Sequence, residues 1–357
     1  MRRPIGPNGS YSRGGGFSTW STRRKLRLAR TLAILLVIVL VVWQCSGDDP
    51  DVTTKPDKIT TTAATTTIAP VAATTATATA APTKLPAVHS LAGGAVSGDK
   101  ILLAGGLDNK KNSTKVLWSF DPATGATTSI GELPGPLHTP ATAALGTGTL
   151  VMGGAKGNKV FDDVYSVDGS GKVTAVGRLP HPRTNAVAIS DGGGANALVF
   201  GGWDGKNPTN EVLQTTDGST FTTVATLLHP VRYPAVTMLG RSVWVVGGEY
   251  DKAITPGIQR VDLDSGLVTD VAPLPVPLSR ASAFSLGGSI FVAGGRTPDG
   301  RSNQIYRIDP ITGATTAAGS LPAERSDATV VVSGDTAYLF GGLSPTPTDT
   351  VLSITAA

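Results

Sequence analysis

The apolar residues of this chain are gathered into short runs, six of which end in a Gly-Gly pair. The pairs are Gly105-Gly106, Gly153-Gly154, Gly201-Gly202, Gly247-Gly248, Gly294-Gly295 and Gly341-Gly342. They recur 48, 48, 46, 47 and 47 residues apart. A fixed period of this size indicates one supersecondary unit repeated along the chain.

Each repeat predicts four short β-strands. A stretch of small and β-branched residues precedes the apolar run, and two further segments follow the Gly-Gly pair, the second ending in Leu-Pro or a variant of it. Val, Ile and Thr favour strands, and frequent Gly and Pro exclude long helices. Four strands with a period just under fifty are typical of a propeller blade, so we expect an all-β, six-bladed β-propeller.

The repeats also resemble those of the kelch family. In that family the Gly-Gly pair follows the second strand and an aromatic residue lies in the third, where Trp118, Tyr165 and Tyr306 match it. The resemblance implies a propeller and says little about activity. The tryptophan expected in the fourth strand is absent from every repeat, so these repeats are degenerate and poor in aromatic residues.

The two ends of the repeat region predict how the ring closes. A Leu85-Pro86 marker precedes the first repeat, so a fourth-type strand is expected within residues 74–84. The last repeat stops after a third strand at residues 349–356. We therefore expect the N-terminal strand to complete the sixth blade, which leaves no open edge, within a propeller that spans residues 74–357.

The first 73 residues have a different composition. Residues 1–30 hold eight basic residues and no acid, and twelve apolar residues follow at Leu32–Trp43. This pattern predicts a basic cytoplasmic tail (1–30), a transmembrane signal anchor (31–46) and a disordered Thr/Ala/Pro-rich, low-complexity stalk (47–73). The propeller would then be extracytoplasmic on a single-pass membrane protein. A cleaved export signal and lipidation at Cys45 remain as alternatives.

The net charge of +4 reflects this tail. Without its eight cations, 22 basic residues stand against 26 acidic ones, a net of −4. Nothing in the chain resembles a base-reading motif, so we expect a membrane partner, no nucleic acid and a monomer.

One basic or imidazole residue follows each Leu-Pro marker shortly before the next repeat. These candidate ligand-binding residues are His89, His138, Arg183, Arg232, Arg280 and Arg325. We expect them at equivalent places around the channel mouth, where they would bind an acidic ligand or would instead tie neighbouring blades together. Trp203 and Tyr250 come just after Gly-Gly pairs and would stack on a ring of the ligand, and Glu249 is close to the same rim.

The sequence offers little evidence of catalysis. Four histidines and one cysteine show no metal-ligand spacing, so no metal and no cofactor is expected. The segment TTDGSTF (215–221) looks like a shortened sialidase box, and we interpret it as a hairpin turn.

Our hypothesis is a binding or scaffold module for anionic glycans or protein partners. The alternative is a cell-envelope carbohydrate-active enzyme, of an epimerase, mutarotase or glycosidase type.

Overall fold

The computed structural model describes residues 72–357, and every regular element in them is a β-strand. The predicted basic tail, transmembrane anchor and nearly all of the stalk lie outside the described residues. Within residues 72–357, no helix is long and apolar enough to cross a membrane.

The strands form six antiparallel four-stranded sheets, so the expectation of an all-β, six-bladed propeller is confirmed. The first strand, β1 (Ala76–Lys84), belongs to the last blade. Blade 1 contains β2 (Gly93–Ser97), β3 (Lys100–Ala104), β4 (Thr114–Phe120) and β5 (Thr127–Leu137). Blade 2 contains β6 (Ala141–Leu145), β7 (Gly148–Met152), the small hairpin β8 (Ala155–Lys156) and β9 (Lys159–Val160), then β10 (Asp163–Val167) and β11 (Val173–Arg178).

The same order recurs along the rest of the chain. Blade 3 contains β12 (Val187–Ser190), β13 (Ala197–Phe200), β14 (Glu211–Thr215) and β15 (Thr222–Thr226). Blade 4 contains β16 (Ala235–Leu239), β17 (Ser242–Val246), the hairpin β18 (Glu249–Tyr250) and β19 (Ala253–Ile254), then β20 (Ile258–Asp262) and β21 (Val268–Val271). Blade 5 contains β22 (Ser282–Leu286), β23 (Ser289–Ala293), the hairpin β24 (Arg296–Thr297) and β25 (Gly300–Arg301), then β26 (Gln304–Ile308) and β27 (Thr315–Ser320).

Blade 6 combines both ends of the described chain. It contains β28 (Thr329–Ser333), β29 (Thr336–Phe340) and β30 (Thr350–Ala356), and β1 pairs with β30 as its outermost strand. The register places Ala76 opposite Ala356 and Lys84 opposite Thr350.

The core lies between the blades rather than at the centre of the ring. Six clusters of buried apolar residues each join two neighbouring blades, and one of them joins blades 6 and 1. A blade covered on both faces has no solvent face, so its second strand carries an unbroken apolar run instead of an alternating pattern. Every residue of β23 is buried, for example.

The Gly-Gly pairs join each blade to the following one. In all six pairs both glycines have positive φ, near 60° for the first and near 100° for the second. The N–H of the second glycine donates to a carbonyl four residues before the next inner strand, at 2.7–2.8 Å. A Cβ on the first glycine would collide with that same carbonyl oxygen. Backbone conformation and close approach therefore both require glycine here.

We expect Gly247→Ala to destabilise the protein by at least about 3 kcal/mol, because it combines left-handed strain with a collision against the Leu278 carbonyl. Gly169→Ala is the matched control, since its Cβ would enter open space and its φ is not positive. Chemical denaturation of the full-length protein measures both. Equal stability losses would contradict the role assigned to the pair.

Candidate functional site

The segment that leads into each inner strand organises the channel mouth. We call the four residues before each inner strand the entry segments; they are residues 89–92, 137–140, 183–186, 231–234, 278–281 and 325–328. The first residue of each accepts the hydrogen bond from the Gly-Gly pair. The second forms a bridge with the residue that directly follows the Gly-Gly pair of the blade that the segment leads into.

The third residue of every entry segment has a left-handed backbone. These residues form what we call the mouth ring: Leu91, Thr139, Asn185, Tyr233, Arg280 and Asp327, with φ between 49° and 59°. Such angles are strained for residues other than glycine, most of all for bulky ones. Backbone hydrogen bonds of 2.7–3.1 Å link five of the six neighbouring pairs around the ring and hold these angles in place.

The mouth ring surrounds a small cavity above the central channel. All six of its side chains line a cavity of about 110 Å³. Below it, the inner strands line a channel of about 590 Å³, mainly with Gly, Ala, Val, Ser and Thr. The ring is uneven, because Leu91 and Thr139 form an uncharged side, whereas Asn185, Tyr233, Arg280 and Asp327 form a polar arc.

Arg280 occupies the centre of this arc. Its guanidinium carbon lies 3.6 Å from the centroid of the Tyr233 ring. Nη1 donates to Asp327 at 2.9 Å, and Nε donates to Glu249 at 3.3 Å. Burial opposes the charge of Arg280, but Tyr233, Asp327 and Glu249 together raise its pKa above the usual value. The Arg280 side chain is therefore permanently charged and lies over the face of the Tyr233 ring.

Arg232 extends the arc outward. Its Nη2 lies 2.8 Å from the second carboxylate oxygen of Glu249, and its guanidinium carbon lies 5.0 Å from the centroid of the Trp203 ring. Glu249, with its side chain 15% exposed, thus bridges two arginines. At the other end of the arc the Asp327 side chain is 1% exposed and accepts a hydrogen bond from Ser326.

The six sequence candidates do not occupy equivalent positions. His89, Arg183 and Arg325 are first residues of their entry segments, His138 and Arg232 are second residues, and Arg280 is a third residue. Only Arg280 belongs to the mouth ring. Its partners Tyr233, Asn185 and Asp327 were not among the candidates, although each directly precedes the Ala or Pro before an inner strand.

The first-position candidates reach into the blades. Arg183 is 1% exposed and binds the carboxylate of Glu211 on β14. Arg325 is 5% exposed and donates to the carbonyls of Gly341 and Thr350 in blade 6. Burial lowers the pKa of both arginines. Each side chain thus binds the blade that its own entry segment leads into.

The two histidines are also enclosed. His89 is 4% exposed and packs on Trp118, with ring centroids 4.7 Å apart. Burial lowers its pKa to about 4. His138 shares a hydrogen bond of 2.9 Å between Nδ1 and the Ser113 hydroxyl, and burial lowers its pKa too. Both imidazoles are therefore neutral at pH 7, and the mouth has no circle of six cations.

Other sequence interpretations also have structural counterparts. Asp217 in TTDGSTF accepts hydrogen bonds from the backbone of Ser219 and Thr220 in the turn between β14 and β15, as expected for a hairpin turn. These bonds lower the pKa of Asp217. Within residues 72–357, no three His, Cys, Asp or Glu side chains come together in a group that could hold a metal ion.

Glu211→Gln should destabilise the protein by about 3 kcal/mol, because it leaves the buried Arg183 charge without its carboxylate. The control is Glu132→Gln, which removes the exposed pair with Lys115 and should change the free energy of unfolding by less than about 0.5 kcal/mol. Denaturant titration of both variants compares them. A loss below 1 kcal/mol for Glu211→Gln would rule out the proposed structural role of this pair.

His89 should make the fold sensitive to mild acid. Its pKa is about 4 in the folded chain and about 6.5 when unfolded, so the unfolded state binds more protons between these values. The stabilisation is complete above pH 6.5 and declines as the pH falls, by about 2 kcal/mol at pH 5. His89→Gln should flatten the pH dependence of unfolding between pH 7 and 5, whereas exposed His181→Gln should keep it. Identical slopes in all three proteins would refute this assignment.

Comparison with known proteins supports the architecture alone. No protein-family model matches the sequence, and no curated protein matches it either. Among solved structures, the chain is similar to that of YjhT, with a TM-score of 0.65 and 17% sequence identity. The match covers 77% of this chain and 99% of YjhT. At this identity the likeness shows a shared propeller fold, and the kelch assignment stays a prediction.

Proposed function

We propose that this protein is a membrane-tethered, extracytoplasmic binding module whose channel mouth holds a hydroxyl-rich ligand with one carboxylate group, such as an acidic sugar. The observation that carries the proposal is the Arg280 guanidinium, which lies over the Tyr233 ring and donates to two carboxylates. Strained residues that are held rigidly in place around a cavity are typical of ligand sites.

Arg280 has the geometry of an anion receptor. Of its three guanidinium nitrogens, Nε and Nη1 donate to Glu249 and Asp327, while Nη2 donates to no group within residues 72–357. A planar guanidinium whose orientation is fixed loses little entropy when it binds a carboxylate. The neighbouring amide of Asn185 and the hydroxyl of Tyr233 are suited to the hydroxyl groups of a sugar.

The charge of the arc favours a ligand with one carboxylate group over a ligand with many. Arg232 and Arg280 are balanced by Glu249 and Asp327, so the arc carries no net charge. A polyanion would gain little from such a site, whereas paired donors and acceptors match the alternating hydroxyl groups of a saccharide. This is a narrower ligand class than the six-cation pattern implied.

Both ends of the described residues lie on the face of the propeller opposite the mouth. Ala73 donates to Gly287 at 2.8 Å and accepts from Nε of Arg307 at 3.0 Å. Gly287 lies in the turn between β22 and β23, on the face opposite the Gly-Gly loops. The C-terminal Ala357 pairs with Thr75 on that same face. The chain therefore enters the described propeller at the face opposite the mouth.

Glu249 is the one observation that favours the enzymatic alternative. It is a carboxylate at the mouth, and general acid–base chemistry on a sugar needs such a group. However, each of its two carboxylate oxygens is bound by an arginine, so an acid–base step on a sugar would have to displace one of these contacts.

We expect galacturonic acid to bind the full-length protein and Arg280→Lys to weaken binding at least about tenfold. Lysine keeps the charge but loses the planar donors and the stacking on Tyr233. Isothermal titration calorimetry measures the affinity, with glucose as the probe that lacks a carboxylate.

Arg178→Lys is the matched control, because Arg178 also pairs with two carboxylates but lies on the outer strand β11. It should bind as the unchanged protein does. Equal affinity of Arg280→Lys and the unchanged protein would reject the proposed site. Conversion of the sugar, followed by proton NMR and slowed by Glu249→Gln, would support the enzymatic alternative instead.

A further inference from the structure

The aromatic side chains of the mouth face are concentrated on one side. Aromatic residues make up 5% of the sequence. Of the three tryptophans within residues 72–357, Trp118 and Trp244 are buried in the core, whereas Trp203 lies at the mouth face beside Arg232. Tyr233 and Tyr250 lie on the same side, in the loops of blades 3 and 4. A chain with few aromatic residues thus places three of them around one part of its surface.

Trp203 is connected to the mouth through a set of side-chain contacts, and Tyr250 directly follows Glu249 in β18. We call Trp203, His229, Arg232 and Tyr250 the outer sector. Glu249 joins it to the ring, because one carboxylate oxygen binds Arg280 at 3.3 Å and the other binds Arg232 at 2.8 Å. Arg232 then lies over Trp203 at 5.0 Å. The contacts that lead from the cavity to Trp203 are therefore all made by charged or aromatic side chains.

The outer sector becomes more exposed with distance from the mouth. The side chain of Arg280 is 17% exposed, that of Arg232 is 32% exposed, and Tyr250 is 42% exposed. The His229 ring lies 5.9 Å from Tyr250, and its Nε2 lies 3.4 Å from the Asp270 carboxylate. An aromatic ring at this exposure offers an open face that the fold itself does not use.

We propose that the outer sector binds further units of an oligosaccharide whose terminal acidic sugar occupies the mouth ring. The inference rests on the proposed function. Rings with open faces stack on the flat apolar faces of sugars, and the polar pairs Arg232–Glu249 and His229–Asp270 offer donors and acceptors to their hydroxyl groups. This alternation of ring and charged pair along the path matches successive sugar units.

The same residues favour a saccharide over an acidic peptide. A peptide bound by charge needs uncompensated cations, whereas Arg232 is paired with Glu249. A peptide bound as an added strand needs a strand edge several residues long, and these residues come from loops and from β18–β19, whose strands have two residues each. Stacking needs neither of these features.

The test compares galacturonic acid with its linear oligomers of two to six units, by calorimetry on the full-length protein. Affinity should rise about 5- to 10-fold from the monomer to the trimer, as expected for one or two added stacking contacts. Tyr250→Ala should abolish this rise, because it removes a stacking face of the outer sector. Ile311→Ala is the control, since Ile311 is 89% exposed but lies in the turn between β26 and β27 on the opposite face.

The possible outcomes separate the two proposals. Monomer binding that Arg280→Lys weakens, with no gain from added units, overturns the outer sector and supports the mouth site. Length-dependent binding that Tyr250→Ala reduces but Arg280→Lys does not overturns the mouth site, and with it the placement of the terminal sugar in this proposal. If an acidic decapeptide competes with the trimer and binds more tightly, the saccharide assignment is wrong. No binding of any oligomer overturns both proposals.

Discussion

A single backbone contact, repeated six times, organises this molecule. The second glycine of each pair donates its N–H to the carbonyl at the start of the next entry segment, and the first glycine leaves no room for a side chain there. One hydrogen bond contributes only about 1 kcal/mol. Its larger effect is geometric, because it sets the distance at which two blades pack and so allows six apolar clusters to form between them. The hydrogen bond from Gly342 to His89 joins blades 6 and 1 in the same way.

The entry segments place some side chains inside the blades and others at the mouth. Their first residues lie directly against the glycines, so Arg183 and Arg325 extend into the blades. Two positions later the left-handed backbone turns the side chain toward the channel, where Tyr233, Arg280 and Asp327 meet. The strain of that backbone is offset by the hydrogen bonds that connect the ring. Rigidity at the mouth therefore comes from the same segments that join the blades.

Most of the architecture could be predicted from the sequence, because it depends on the conformational preferences of nearby residues. Val- and Thr-rich runs favour strands, glycine tolerates positive φ, and a regular period indicates a repeated unit. The apolar character of β17 and β23 follows from their burial on both faces. The site was predicted less well. Of the six candidates only Arg280 lies in the mouth ring, because a shift of one or two residues within an entry segment sends a side chain to a different place.

The sequence by itself therefore determined the number of blades, the strand order within each repeat and the places where only glycine fits. These properties follow from the conformational preferences of single residues and from their spacing. Tertiary structure alone decided which polar residues meet. Glu249, Arg280 and Asp327 are far apart in sequence, and nothing in their local pattern shows that two carboxylates would neutralise two arginines. Electrostatic pairing depends on distance in space, and that distance exists only once six blades have closed around the channel.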